Sequence, residues 1–90
     1  MKIVFTEHAW DDLTYWIEND LDQVKKIKEL INSIKSSPFK GLGKLEPLKH
    51  QLRGYWSRRI NHEHRLVYEI SGKKKIDQIC VIMQCRFHYK

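Results

Sequence analysis

Residues 50–71 read HQLRGYWSRRINHEHRLVYEIS, in which two apolar runs flank three polar residues at 61–63. In the second run apolar side chains recur at every other position, the alternation that is typical of a half-buried strand. The stretch therefore predicts two antiparallel strands, one over about 50–60 with a bend at Gly54 and one over 64–71.

The flanking sequence completes the predicted architecture. Residues 2–5 indicate a short first strand, and residues 77–88 indicate a last strand after a lysine-rich turn. Apolar residues at helical spacing predict one helix over about 6–19 and a second over about 21–36. The order β-α-α-β-β-β predicts a single α+β domain over residues 1–90, with two helices packed on one face of a mostly antiparallel four-stranded sheet.

Positive charge is concentrated in the second part of the chain. The formal net charge is +6; residues 1–36 hold seven acids and five bases, whereas residues 37–90 hold four acids and twelve bases. A basic surface of this kind favours a polyanion, most simply nucleic acid, or an acidic protein as partner. A solvated basic surface that only aids solubility is equally consistent with the charge alone.

The sequence indicates neither a membrane span nor a signal peptide, so we expect a cytoplasmic protein without a membrane partner. Its two cysteines, Cys80 and Cys85, are predicted to point to opposite faces of the last strand, where they cannot form a disulfide. We expect both to be small buried residues, because free cysteine is among the most buried residue types.

Strand alternation also sorts the charged side chains. The face under the helices is predicted to carry Trp56, Ile60, Leu66, Tyr68, Ile70, Ile79, Val81, Met83, Cys85 and Phe87. The opposite, uncovered face is then predicted to carry Arg59, Arg65, Arg86 and His88. The loop that contains Glu46 and Lys49 leads directly into this sheet.

These groups match what metal-free cleavage of RNA requires. The ribose 2′-hydroxyl attacks the neighbouring phosphorus, a base takes its proton, an acid protonates the leaving 5′-oxygen, and cations stabilise the phosphate. Glu46 is a candidate base, His88 a candidate acid and Arg65 a candidate bidentate phosphate ligand. Tyr89 is a further candidate catalytic residue, which could orient the phosphate or stack on a base. Candidates for binding the substrate are Lys49, Arg58, Arg59 and Arg86. No metal or other cofactor is expected, because His62 and His64 lack a ligand set of recognised spacing.

Plainer interpretations of the same residues stay open. Taken by themselves, Glu46 is more typical of a loop carboxylate paired with Lys49, and the adjacent arginines at 58–59 are more typical of ordinary strand charges. From the residues alone, the histidine and tyrosine at 88–89 are as consistent with an incidental pair as with a functional one.

Four short motifs, in this order, resemble the YoeB (Txe/YoeB) toxins of bacterial toxin–antitoxin modules: EPLKH at 46–50, GYWSRRI at 54–60, EHRLVY at 63–68 and CRFHY at 85–89. The resemblance implies a RelE-like fold and an mRNA endoribonuclease that acts in the ribosomal A site and leaves a cyclic phosphate or a 3′-phosphate. It also implies homodimers and inhibition by a YefM-type antitoxin. Phe87 departs from the pattern, since a tyrosine is common there.

Matched position by position, the resemblance places the family's base at Glu46, its phosphate-binding arginine at Arg65, its acid at His88 and its tyrosine at Tyr89. It also places supporting basic residues at Lys49 and Arg59. Two other functions compete with this one: a ParE-type inhibitor of DNA gyrase on the same scaffold, and a non-catalytic module that binds RNA or the ribosome. A gyrase inhibitor would not need a base, an arginine and an acid together.

Overall fold

The computed structural model describes residues 1–88 of the chain. These residues contain two helices and five strands. In chain order they are β1 (Lys2–Phe5), α1 (Glu7–Asn19), α2 (Leu21–Ser36), β2 (Glu46–Pro47), a 3₁₀ turn (His50–Leu52), β3 (Trp56–Arg59), β4 (Arg65–Ser71) and β5 (Ile79–Gln84). The predicted α+β order is confirmed, with β2 as an additional strand.

The sheet has the strand order β1-β5-β4-β3-β2. Its first pair, β1 with β5, is parallel, and the other three pairs are antiparallel, so the prediction of a mostly antiparallel sheet is confirmed. The predicted number of four strands is too low, because Glu46 and Pro47 pair with Ser57 and Trp56 at the edge of the sheet. A proline is tolerated at such an edge, where its missing N–H removes no internal ladder bond.

Side-chain caps define where the helices begin. The Thr6 side chain accepts a hydrogen bond from the Ala9 N–H at the start of α1, and Asp20 accepts one from the Asp22 N–H at the start of α2. Ser37 ends α2 directly before Pro38, because the residue before a proline is disfavoured in the helical region. No helix among residues 1–88 combines the length and the apolar character that crossing a membrane requires.

One face of the sheet packs against both helices and forms the core. The buried side chains that pack together there are Ala9, Trp16, Ile27, Leu30, Ile34, Ile60, Leu66, Tyr68, Cys80, Ile82 and Cys85. The indole N–H of Trp16 donates to the carbonyl of Cys85 over 2.7 Å, which ties α1 to the end of β5. The opposite sheet face carries no helix, as predicted.

The predicted phase of the last strand is wrong. The register places Tyr68 opposite Ile82 but Val67 opposite Gln84, so Met83 is an extra residue on β5. Cys80 and Ile82 are fully buried on the helix side, whereas the predicted Ile79, Val81 and Met83 are not. The extra residue shifts the phase after Ile82, so Cys85 is buried on the helix side as predicted and shares that side with Cys80, contrary to the prediction that the two cysteines point to opposite faces. A continuous apolar run such as ICVIM shows no alternation, so its phase cannot be inferred from the pattern.

Two strands are shorter than predicted. Residues 50–52 form the 3₁₀ turn, and β3 begins only at Trp56, after the predicted bend at Gly54, whose φ is +99°. β5 ends at Gln84, so residues 85–88 are irregular and strand alternation does not fix their direction. Gly54 is suited to this bend because L side chains rarely adopt a positive φ.

Both cysteines are expected to react poorly in the folded protein. Burial raises the pKa of the Cys80 thiol to about 12, and burial together with the nearby Asp12 carboxylate raises that of Cys85 to about 12. At pH 8 the reactive thiolate is then scarcer by a factor on the order of 10³ than for an ordinary cysteine. Iodoacetamide labelling followed by mass spectrometry should modify neither thiol in native buffer and both in urea; rapid native labelling would contradict the assigned burial.

Candidate active site

Two arginines face each other on the sheet face that the helices leave uncovered. Because Leu66 is in the core, alternation turns its strand neighbour Arg65 to the other side, and Arg59 is the cross-strand partner of Arg65. Like charges directly opposite each other destabilise a sheet. Within residues 1–88 no Asp or Glu carboxylate forms a salt bridge with either guanidinium. An anion bound across the pair would remove this repulsion.

The guanidinium of Arg65 is held from one side only. Its Nη1 donates to three main-chain carbonyls of the β3–β4 turn, those of Asn61, His62 and His64, over 3.1 to 3.3 Å. These bonds fix the plane of the group and leave its Nη2 and Nε without an acceptor among the described residues. The Nε–H and one Nη2–H point the same way along one edge of the plane, which is the geometry with which arginine binds two oxygens of one phosphate.

Arg59 carries a second donor in need of a partner. Its Nε is buried and makes no hydrogen bond within residues 1–88. A buried donor without an acceptor is unfavourable by about 1–3 kcal/mol. A phosphate oxygen is a chemically suitable acceptor for this donor, although Arg86 Nε, on the helix side, is unpaired in the same way.

Glu46 lies on the same face of the sheet as the two arginines. It pairs with Ser57, which stands two residues before Arg59 on β3, so Glu46 and Arg59 share one face about 7 Å apart along the strand direction. Ser57 and Val67 lie on this same face and are buried, with only 3 % and 4 % of their surfaces exposed. The prediction that Glu46 lies in a loop is wrong in detail, because its two-residue strand holds it against β3.

Lys49 lies near Glu46 on an exposed segment. Residues 46–52 line a shallow depression next to Glu46, and Lys49 lies on it. The segment is anchored by the buried Leu48, whose N–H donates to the carbonyl of Tyr55. His50, the next residue, has φ +57°, a conformation that non-glycine residues rarely adopt and that is common at functional sites.

The segment after β5 is tied to α1. The Cys85 N–H donates to the carboxylate of Asp12, and the Cys85 carbonyl accepts from the indole of Trp16. Both bonds are buried, so each is stronger than it would be in water. They hold residue 85 in place although the strand has already ended at Gln84.

Further bonds hold residue 87, directly before His88, against Arg65 and His64. The Phe87 carbonyl accepts from the Arg65 N–H over 3.0 Å, and the Phe87 N–H donates to Nδ1 of His64 over 2.7 Å. His88 is exposed and follows directly. The main chain therefore brings the backbone of residue 88 close to the end of β4 at which Arg65 stands. From the sequence, His64 was considered only as a metal ligand. Its position directly before Arg65 was the feature of the sequence that could have indicated a role at this site.

Two predicted substrate contacts have other roles, and one residue lies outside the described part. Arg58 is fully buried, and all its donors are used within the protein, so it is not available to a substrate. Arg86 stacks on Tyr15 of α1 with Cζ 3.3 Å from the ring centroid, so its predicted position on the uncovered face is wrong. The strand ends before residue 86, and alternation no longer applies there. Tyr89 lies outside residues 1–88.

The arrangement places a carboxylate beside a pair of arginines that suits an anion. A carboxylate and two guanidiniums share one sheet face, and the main chain brings residue 88 to the edge of that face. No helix of residues 1–88 covers this face. Groups of these types can remove a proton from a hydroxyl, neutralise a phosphate and return a proton to a leaving oxygen.

Comparison with known proteins points to one family. The family model described as "YoeB-like toxin of bacterial type II toxin-antitoxin system" matches residues 5–89. Toxin YoeB of Escherichia coli strain K12 is 52% identical over 89 residues, which cover 99% of this chain and 100% of the relative.

Solved structures agree with this similarity. The YoeB/ParE toxin from Agrobacterium tumefaciens superposes with a TM-score of 0.95 at 52% identity and covers 99% of this chain and 100% of its own. A YoeB dimer from Staphylococcus aureus gives a TM-score of 0.87 at 46% identity, and a heterotetrameric YoeB–YefM toxin–antitoxin complex from the same organism gives 0.86 at 44%. Both cover 99% of this chain and 98% of the matched one.

Proposed function

The chain belongs to the YoeB-like toxin family of bacterial type II toxin–antitoxin systems, and we propose that it acts as an endoribonuclease that cleaves mRNA in the ribosomal A site. The observation that carries the proposal is the arginine pair at 59 and 65 on the open sheet face, beside Glu46. An acidic protein partner could also bind the two arginines, but it would have no use for the carboxylate of Glu46 beside them, whereas a reacting phosphodiester needs both an anion site and a base.

The proposed reaction is an internal transesterification. Glu46 accepts the proton of the ribose 2′-hydroxyl as its oxygen attacks the neighbouring phosphorus, and the bond from phosphorus to the 5′-oxygen breaks. His88 donates a proton to that leaving oxygen, while Arg65 binds two phosphate oxygens and stabilises the added negative charge. The products are a 2′,3′-cyclic phosphate, which water can open to a 3′-phosphate, and a 5′-hydroxyl. No metal is needed in these steps.

Other residues support the reaction in this proposal. Arg59 adds positive charge next to Arg65, and its buried Nε gains an acceptor when phosphate binds. Lys49 adds charge from the side of Glu46, and Tyr89 orients the phosphate or stacks on a base. The open shape of the face suits a substrate presented by a large partner, since the toxin itself encloses little of the RNA.

The proposed partners follow from the family. The S. aureus protein forms a complex with YefM and, in another structure, a dimer. We infer for this chain a YefM-like antitoxin, a homodimer and a cytoplasmic location, where mRNA meets the ribosome. The second part of the chain, with its excess of eight positive charges, favours association with ribosomal RNA and with an acidic antitoxin segment.

Removing the guanidinium of Arg65 tests the proposed endoribonuclease activity directly. Brief induction of the wild-type protein in bacteria should produce new mRNA 5′ ends near start codons, mapped by primer extension. Arg65→Ala should reduce them by about 10²- to 10³-fold, the range for removing one donor that stabilises a charged transition state. Lys74→Ala is the matched control, because it removes one cation from the exposed turn at the far end of β4, about 20 Å away.

Three outcomes separate the competing functions. Cleavage lost in Arg65→Ala and kept in Lys74→Ala supports the endoribonuclease. Intact transcripts together with gyrase-dependent DNA breaks would contradict this function and support a ParE-type inhibitor of DNA gyrase. Intact transcripts with toxin bound to ribosomes would show a non-catalytic binding module.

A further inference from the structure

His64 makes a contact that packing alone does not explain. Its side chain is only 12% exposed, and its Nδ1 accepts the N–H of Phe87 over 2.7 Å. The imidazole meets the ring of Trp16 edge to face, with 4.8 Å between the centroids. An acceptor at Nδ1 places the ring proton on Nε2, which lies 3.7 Å from a carboxylate oxygen of Glu63.

Phe87 needs this contact because its backbone is unfavourable. Its φ is +67°, and the left-handed conformation is disfavoured by about 1–2 kcal/mol for a residue with a side chain. Three hydrogen bonds oppose this: the N–H bond to His64, and bonds to the Phe87 carbonyl from the Arg65 N–H and from Nε2 of Gln84, at 3.0 and 3.4 Å. The bond to His64 is the shortest of them.

The conformation of Phe87 sets the direction in which the chain enters His88. With a negative φ at residue 87, the following imidazole would leave the end of β4 in another direction. An error of about 1 Å in the position of a catalytic group can reduce a rate by about 10²-fold.

We propose that His64 is a positioning residue for the cleavage reaction: by accepting the Phe87 N–H at Nδ1, it holds residue 87 in the left-handed conformation that aims His88 at the phosphate bound by Arg65. The inference rests on the proposed endoribonuclease function. His64 touches neither the substrate nor the reacting atoms, and Trp16 fixes the ring so that Nδ1 faces the segment after β5.

Two substitutions separate the acceptor from the ring. His64→Phe keeps an aromatic ring against Trp16 and removes the acceptor. His64→Asn removes the ring and places a carbonyl oxygen, Oδ1, close to where Nδ1 stood. If His64 served only the core, the phenylalanine variant would be the better tolerated of the two.

The test is single-turnover cleavage of mRNA on programmed ribosomes with purified toxin. We expect His64→Phe to lower the maximal rate by about 10- to 100-fold, with the ribosome concentration at half-maximal rate changed by less than about threefold. His64→Asn should stay within about threefold of the wild-type rate. A wild-type rate in His64→Phe, or an equal loss in both variants, would overturn the proposal. Absence of cleavage by the wild-type protein would instead refute the function itself.

Amide hydrogen exchange checks the contact independently of cleavage and of any variant's folding. In the wild-type protein the Phe87 amide should exchange at least about tenfold more slowly than in an unstructured peptide. His64→Phe should remove this protection while leaving the amide of Ile82, within β5, unchanged. A Phe87 amide that exchanges freely in the wild type would show that His64 does not hold it.

Discussion

Replacing Arg58 with methionine is expected to lower the free energy of unfolding by about 3–5 kcal/mol, because buried acceptors lose their donor and each such loss is unfavourable by about 1–3 kcal/mol. For a chain of this size that corresponds to a fall in Tm of roughly 15 °C or more. The side chain is fully buried on the helix side of β3. It has no carboxylate partner among the described residues, so neutral acceptors alone compensate its desolvation.

Every N–H of the Arg58 guanidinium is used. Nε donates to the Tyr68 hydroxyl, Nη1 to the Ser33 hydroxyl and the Leu42 carbonyl, and Nη2 to the carbonyls of Ser37 and Lys40, all between 2.7 and 3.1 Å. Methionine fills a similar volume but supplies no donor, so the carbonyls of Leu42 and Lys40 lose their partner, and each buried unpaired group is unfavourable by about 1–3 kcal/mol. The other three acceptors lose one bond but keep another: the Tyr68 hydroxyl donates to the Pro38 carbonyl, the Ser33 hydroxyl accepts from the Leu42 N–H, and the Ser37 carbonyl accepts from the Lys40 N–H. Partial hydration of the loop carbonyls keeps the total below the simple sum.

The same network shapes the loop that leads to Glu46. The chain between α2 and β2 wraps around the guanidinium, and a Cβ at Gly41 would approach Nη1 to 3.3 Å and the Ser33 hydroxyl to 2.6 Å. Gly41 also has φ +118°, which L side chains rarely adopt. Arg58→Met is therefore expected to loosen this loop as well as the core.

Urea denaturation followed by tryptophan fluorescence measures the effect. Arg53→Met is the matched control, because Arg53 is exposed and a surface exchange changes stability by about 0.5 kcal/mol or less. Arg58→Lys keeps the charge but offers three donors instead of five, so it should lie between wild type and Arg58→Met. A loss below about 1 kcal/mol in Arg58→Met would contradict the network as the support of this region.

Arg58 also shows where reasoning from the sequence reached its limit. Alternation in β3 puts residue 58 on the same face as Trp56 and Ile60, which is the buried face, yet a basic residue in a basic motif suggested contact with substrate. The sequence does not reveal that loop carbonyls some twenty residues earlier converge on one point. Only the tertiary path of residues 37–43 turns a candidate ligand into a structural residue.

The position of the two arginines at 59 and 65 on the uncovered face was predictable, because it depends only on the local alternation of residues in the strands. In β4 the alternation of charged and apolar residues around Leu66 is clear, so the phase of that strand and of its neighbour follows from the sequence. In β5 the run ICVIM is apolar throughout, and the extra residue at Met83 reverses the phase. The contact of His64 with Phe87 spans 23 residues and depends on a left-handed backbone, which no pattern in the sequence signals.

Exchanging His88 for glutamine is expected to reduce mRNA cleavage on the ribosome by about 10²- to 10⁴-fold, the contribution typical of a general acid. Glutamine keeps a polar group of similar reach but cannot supply a proton. The fold should not change, because the bonds that hold the segment after β5 are made by Cys85 and Phe87. His8→Gln is the matched control, since that histidine is exposed on α1.

A modified substrate identifies the acid. In RNA whose scissile 5′-oxygen is replaced by sulfur, the leaving thiolate is stable without a proton, so cleavage no longer depends on a general acid. His88→Gln should then cleave this substrate within about tenfold of the wild-type rate, whereas Arg65→Ala should remain slow because the phosphate still needs its guanidinium. If His88→Gln were as slow on the sulfur substrate as on normal RNA, His88 would act by orienting the phosphate, and the proton would have to come from another group. The comparison of the two substrates thus tests the role of His88 separately from its mere presence in the site.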